Sequence, residues 1–236
     1  MLILAGTSGF SYKEWKGVFY PERLPANRML AAYALRLPAV EINNTFHRLP
    51  SQALLEGWRA QVPEGLRFAL KAPRRLTHIK RLADCGPELA AFFAAAETLG
   101  EAFASTLFQL PPHFRADRAR LADFVLQLPA GAKASFEFRN DSWFDDGIYE
   151  VLASRNLALA IGETGPESRI DLPWTADWAY RRLRKPDQSD AEHDAWLERL
   201  RRSGVREAHV FFKHEDEARG PRFAERFLAL AVGAAV

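Results

Sequence analysis

The chain has 236 residues, 48% apolar and 26% charged, which is the balance of an ordinary globular protein long enough to bury a full core. Its 32 Lys and Arg against 30 Asp and Glu leave a net charge of +2, which excludes bulk electrostatic binding to nucleic acid or membrane and makes any functional charge a local matter. The lone cysteine, Cys85, excludes an internal disulfide and a Cys-rich zinc site, and no uncharged apolar run approaches the ~20 residues of a membrane helix.

From the start of the chain, Met1 to Gly6 is apolar without a basic flank and reads as a first strand, not a signal peptide. A reducing, cytoplasmic location is the expectation. Further β-rich runs follow at residues 40–43, 67–71, 106–109, 135–139, 157–161, 178–183 and 208–213, which with residues 2–5 makes eight. Helical patterns separate them. Apolar residues have helical spacing over 30–34, 89–99 and 121–128. Ser51 is placed to cap a helix that begins before Ala53-Leu54-Leu55, and Ser189-Asp190-Ala191-Glu192 matches a capping box ahead of Trp196 and Leu197. Gly220-Pro221 puts a proline in the first turn of a last helix. Between Ile161 and Trp178 lie Gly162, Gly165, Pro166 and Pro173, so the sixth helix is expected to be short or missing. Eight strand–helix units without a linker predict one α/β domain over residues 1–236, a (β/α)8 TIM-type barrel with an irregular sixth unit.

Side chains alternate between the two faces of a strand. Val40 and Ile42 suit the helix-covered face, which turns Glu41 and Asn43 inward. Phe68 and Leu70 turn Lys71 inward, Phe108 turns Gln109, Phe136 and Phe138 turn Glu137 and Arg139, and Val210 and Phe212 turn Lys213. On the seventh strand Arg181 and Arg182 are adjacent, and Tyr180 with Arg182 is the expected inner pair. Most of these groups fall at the carboxyl ends of their strands, where barrels build sites from several strands at once. Charges in a packed interior cost several kcal/mol each unless paired or wetted, and an open mouth avoids much of that cost. A single pair such as Glu137 with Arg139 serves equally well to lock strands together. Two carboxylates and four cations gathered at one end favour an anion-binding site.

Loops add candidates. Gly6-Thr7-Ser8-Gly9 offers backbone N–H groups and the Ser8 hydroxyl to an anion, without matching a phosphate-loop fingerprint. Phe10, Tyr12, Trp15, Phe19 and Tyr20 crowd the first loop as a lid or a small local core, with the core role expected of Phe19 and Tyr20. Arg74, Arg75, His78, Lys80 and Arg81 form a basic loop that grips phosphate or simply faces water. Trp143 stacks on a ligand ring or packs in the core. A metal would draw on Glu41, Glu137, Glu163, His47, His78 and His214, yet no His or Cys spacing typical of a metal motif exists. The residues name no cofactor.

Five segments in order carry a family resemblance: Gly6-Thr7-Ser8-Gly9-Phe10-Ser11-Tyr12 with Trp15; Val40-Glu41-Ile42-Asn43-Asn44-Thr45-Phe46-His47-Arg48-Leu49-Pro50; Phe68-Ala69-Leu70-Lys71 with Thr77-His78; Leu107-Phe108-Gln109-Leu110-Pro111-Pro112; and Phe136-Glu137-Phe138-Arg139 with Ser142-Trp143. Together they resemble the YecE-like family, domain of unknown function 72. The resemblance implies a TIM-type barrel and no assigned reaction. The last third departs from the family pattern. Tyr180 and Arg182 match its Tyr-x-Arg-x-His-Gly stretch, but Arg184 and Lys185 replace the His and Gly. Lys213-His214-Glu215-Asp216 replaces an Asn pair and an acid, and Glu163 stands where Asp is frequent.

The functional expectation is an enzyme for a small anionic or phosphorylated ligand. Glu41, Glu137 and Lys71 form the catalytic set. Ser8, Asn43, His78, Gln109, Arg139, Tyr180, Arg182 and Lys213 form the binding set. A nucleic-acid-processing barrel is the second reading, and a non-catalytic ligand sensor the third. No membrane partner is expected.

Overall fold

A computed structural model describes residues 1–163, 171–213 and 216–233. Eight parallel strands close into a barrel in sequence order: β1 (Leu2–Ser8), β2 (Ala39–Ile42), β3 (Arg67–Lys71), β4 (Phe103–Gln109), β5 (Ala134–Glu137), β6 (Ala158–Gly162), β7 (Trp178–Leu183) and β8 (Glu207–Phe212), with β8 returning to pair with β1. All eight expected runs are strands. The largest shifts in boundary are at β1 and β4, each three residues longer on one side than the apolar run alone suggests.

Seven α-helices lie among the described residues: α1 (Met29–Ala34), α2 (Gln52–Arg59), α3 (Gly86–Ala96), α4 (Arg118–Leu126), α5 (Asp146–Ala153), α6 (Asp190–Arg202) and α7 (Arg219–Gly233). The cap signals hold. Ser51 Oγ accepts from Leu54 N at the start of α2, and Ser189 with Glu192 forms the reciprocal capping box of α6. Pro221 lies in the first turn of α7. Between β6 and β7 no helix occurs among the described residues; part of that sixth connection, residues 164–170, lies outside them.

The interior is layered by side-chain size and polarity. Its middle is apolar: Trp178, Tyr180 and Phe211 from β7 and β8 fill the space left by Ala39, Ala69, Ala158 and Ala160 on β2, β3 and β6. Large residues facing small ones let the layer close at interior density. At the amino end Ser105 Oγ lies 2.9 Å from His209 Nδ1, and His209 Nε2 lies 2.6 Å from Glu207 Oε1, while Lys133 pairs with Glu207. Ser105 and His209 are buried, so this polar chain is a structural tie. The outer faces of the strands carry Val40, Ile42, Phe68, Leu70, Phe108, Phe136, Val210 and Phe212, all buried in the larger core under the helices. Arg181 also faces outward, with its guanidinium 4.2 Å from the Trp174 ring and hydrogen-bonded to the Leu159 and Tyr180 carbonyls.

The first loop packs its own core. Trp15, Phe19 and Tyr20 are buried and in mutual ring contact, and the Tyr20 hydroxyl donates to the Phe10 carbonyl at 2.6 Å. Trp143 is likewise core, stacked on Phe138 and donating to the Phe114 carbonyl. On β1, Thr7 N donates to the Tyr33 hydroxyl, which donates to the Ala39 carbonyl. A Cβ on Gly6 would lie 1.7 Å from that same carbonyl. Gly6→Ala should therefore force β1 and β2 apart and lower unfolding stability by about 3 kcal/mol or more. Urea denaturation checks this, and an unchanged midpoint would contradict the close approach.

Candidate functional site

The carboxyl ends of the strands bring most of the expected residues together. Glu41 on β2 and Glu137 on β5 both point into the barrel, and Arg182 on β7 spans them: its Nη2 lies 2.7 Å from Glu41 Oε1 and its Nη1 lies 2.6 Å from Glu137 Oε2. Glu41 is fully buried at 0% exposure and also accepts from Ser8 Oγ at 2.8 Å, Asn43 Nδ2 at 3.0 Å and the Tyr180 hydroxyl at 2.7 Å. Glu137 accepts from Gln109 Nε2 at 2.6 Å and Arg139 Nε at 3.1 Å. Burial by itself would push both carboxyls up. The Arg182 guanidinium and its neighbours outweigh burial, lowering Glu41 and holding Glu137 at about 2. Both carboxylates are therefore anions whose lone pairs are largely taken.

Lys71 at the end of β3 has a different environment. Its Nζ donates to Gln109 Oε1 at 2.8 Å and lies 4.1 Å from the centre of the Phe46 ring. Gln109 stands between it and Glu137, because the same amide donates onward to that carboxylate. No carboxylate of the described residues lies within ion-pair distance of Lys71. Partial burial first, then the positive charge of Arg182, bring its ammonium down to about 8, with Glu41 and Glu137 opposing. Arg139 is the more open cation, with its side chain 36% exposed.

His78 arrives on a single π turn (Arg75–Ile79) that follows β3, a distortion common at functional sites. Its ring meets Phe46 edge-on at 4.8 Å, and Thr77 Oγ1 lies 2.8 Å from its Nδ1. Burial and then the charges of Lys71 and Arg139 push it down to about 4, so it is neutral near pH 7.

Not every expected residue joins the cluster. Lys213 lies one residue past the end of β8 and is exposed; the alternation that would turn it inward ends with the strand at Phe212. Ser8 is present but buried, and its hydroxyl is committed to Glu41, which makes it a support for that carboxylate. Of the metal candidates, Glu163 accepts from Trp196 Nε1, His47 is exposed, and His214 falls outside the described residues. No group of three His, Cys, Asp or Glu converges among the described residues. Two further residues belong to the site. Arg184 on the same side of the barrel is close enough to be lowered by burial and by Arg182. Phe46 supplies the ring against Lys71. The signal for Arg184 was its i+2 spacing from Arg182 on an inward-facing parity.

Fold and site together define a parallel (β/α)8 barrel protein with a charged cluster at the mouth. The chain belongs to the DUF72 family, described as proteins of unknown function, whose model matches residues 4–235. It is 28% identical over 143 residues to the UPF0759 protein YunF of Bacillus subtilis (strain 168); the match takes in 57% of this chain and about half of that relative, 51%. A solved DUF72 family protein of Thermotoga maritima MSB8 superposes with a TM-score of 0.77 at 25% identity, covering 98% of this chain and 99% of the other. One from Enterococcus faecalis V583 shares the fold with a TM-score of 0.77 at 18% identity, covering 100% and 96%.

Arg182→Met removes the charge that Glu41 and Glu137 share. Breaking such a bridge should cost about 3–5 kcal/mol near neutral pH. In the wild type, Glu137 has a depressed folded pKa, so its contribution is present above the ordinary carboxylate range and is lost as pH falls toward about 2. In the variant burial is opposed only by Arg139, Arg184 and the neutral donors, so both carboxyls rise from their wild-type values and acidification should narrow the stability gap to wild type. Urea melts across pH check the sign, and a loss that does not vary with pH would contradict the charge assignment.

Proposed function

We propose that the protein is an enzyme that takes a small anionic or phosphorylated substrate at the barrel mouth and transfers protons there by general acid–base chemistry. The observation that carries this reading is the charge pattern. Four cations, Lys71, Arg139, Arg182 and Arg184, surround two carboxylates, and both carboxylates are spent on the Arg182 bridge. A mouth of this kind attracts an anion and holds it against fixed donors.

In this reading Arg139, the exposed cation of the mouth, and the half-buried Lys71 hold the anionic group. Asn43 and Gln109 orient substrate hydroxyls. Glu41 and Tyr180 stay behind as scaffolding, since their polar groups already bond to each other and to Arg182. Lys71, at about 8, changes protonation close to working pH, which suits a group that gives and takes a proton. Glu137 is its anionic neighbour through the Gln109 amide.

A nucleic-acid partner has weaker support. Of the basic loop, Arg75 and Lys80 are both paired with Glu88, which takes two of the four cations away from a phosphate backbone.

Thermal unfolding against a panel of sugar phosphates, nucleotides, sulfate and short oligonucleotides tests the reading. A ligand at ~100 times its Kd should add about 2.7 kcal/mol to the native state, and Arg139→Ala should remove most of that gain. Sulfate keeps a constant charge, so its stabilising effect should weaken as pH rises through about 8 and Lys71 loses its proton. Stabilisation confined to oligonucleotides would transfer the reading to a nucleic acid. Binding of one metabolite class with no turnover would make the protein a sensor. Silence across the panel would overturn the anion site.

A further inference from the structure

We propose that Lys71 is an imine-forming nucleophile for aldehydes or ketones that carry a phosphate or carboxylate group, an inference that rests on the anion-binding reading of the mouth. A lysine attacks a carbonyl only as the free amine, and it is made available by burial, by neighbouring positive charge and by the lack of a carboxylate partner. All three conditions meet at this position. Lys71 is half-buried, Arg182 and Arg139 both act to lower its proton affinity, and its hydrogen-bond partner is the neutral amide oxygen of Gln109. The two nearby carboxylates that would otherwise hold an ammonium are bound by Arg182 instead. The fold keeps Glu137 one amide away from the amine.

Of the other lysines, Lys80, Lys133 and Lys185 each contact a carboxylate, Lys13 and Lys213 are exposed, and Lys16 is half-buried in the first loop. The Phe46 ring, 4.1 Å from Lys71 Nζ, covers one side of the amine and leaves an apolar wall for the carbon skeleton of a substrate. Arg139 is the open cation for the substrate's anionic group.

The step balances without an outside reagent. The amine lone pair forms a C–N bond to the carbonyl carbon as the C=O π pair moves to oxygen, and a proton passes from nitrogen to that oxygen. The C–O bond then breaks and the oxygen leaves as water with a second proton. Counted from the ammonium, a lysine and a carbonyl compound give a positively charged iminium and one water. The iminium draws electrons from the adjacent carbon, so the class of reaction it serves is proton removal or carbon–carbon cleavage next to the former carbonyl.

The test is reductive trapping of the wild-type chain with sodium cyanoborohydride at about pH 8 and dihydroxyacetone phosphate, glyceraldehyde 3-phosphate or pyruvate as probes, followed by peptide mapping. The expected result is an adduct on Lys71 ahead of the exposed Lys13 and Lys213. Arg139→Ala should lower trapping of these anionic probes by about tenfold, the scale of one charge-assisted contact, and should lower trapping of neutral acetaldehyde by less, through the higher proton affinity that Lys71 gains when this neighbouring charge is lost. Lys71→Arg keeps the positive charge and should retain stabilisation by sulfate while losing the adduct. Adducts spread over surface lysines without preference for Lys71, or none at all, would overturn the imine. If sulfate still stabilises the protein in that case, the anion-binding mouth stands and only the imine fails; if sulfate has no effect either, both fail.

Discussion

The arrangement depends on one guanidinium. Arg182 projects from β7 into the barrel and bonds to carboxylates on β2 and β5, strands that are not its neighbours in the sheet. Three buried charges in such a place would each cost several kcal/mol if left alone, and together they are held by short, well-placed hydrogen bonds. A bridge of this kind adds little net stability over apolar packing, but it constrains position strongly. It sets the rotamers of Glu41 and Glu137, and through Glu41 it sets Ser8, Asn43 and Tyr180. It also decides the state of Lys71, because the anions that would pair with that ammonium are already engaged.

The layer beneath explains why this cluster sits at one end. Trp178, Tyr180 and Phe211 close the barrel interior against alanines on β2, β3 and β6. Polar side chains below that layer must satisfy each other, as Ser105, His209 and Glu207 do. Those above it border the mouth, where Arg139 and Lys71 keep some access. Tyr180 belongs to both levels: its ring packs in the apolar layer and its hydroxyl reaches Glu41. Membership of the DUF72 family accords with this architecture and leaves the chemistry to be argued from the site.

Much of this could be read from the residues before any coordinates. Strands such as β2, β3 and β5 alternate large apolar groups with charged ones, so their inward residues are fixed by parity. The choice between Arg181 and Arg182 fell to Tyr180, which shares a face with Arg182. Parity gave less where strands end. Lys213 has the right parity, but β8 stops before it and the side chain is exposed. The sequence also cannot tell a ligand donor from a support. Ser8 and Tyr180 are polar, inward and close to the site, yet both are consumed by Glu41, a fact of tertiary distance. The Ser105–His209–Glu207 chain is hidden for a similar reason: Glu207 and His209 share β8, but Ser105 comes from β4, far away in sequence, and no local spacing joins it to them. Gln109 shows the limit most clearly: its place in the chain says only that it points inward, and its role depends on lying between an ammonium and a carboxylate.

The central claim is that the Arg182 bridge takes both carboxylates out of reach and leaves Lys71 with a neutral partner. The most direct measurement is the pH titration of the Lys71 side chain by NMR in selectively labelled protein, following the carbon next to the amine. The account predicts a midpoint near 8, well below the ordinary lysine value. A midpoint at or above the ordinary lysine value would show that Lys71 is paired with an anion, and would contradict the arrangement from which the rest follows.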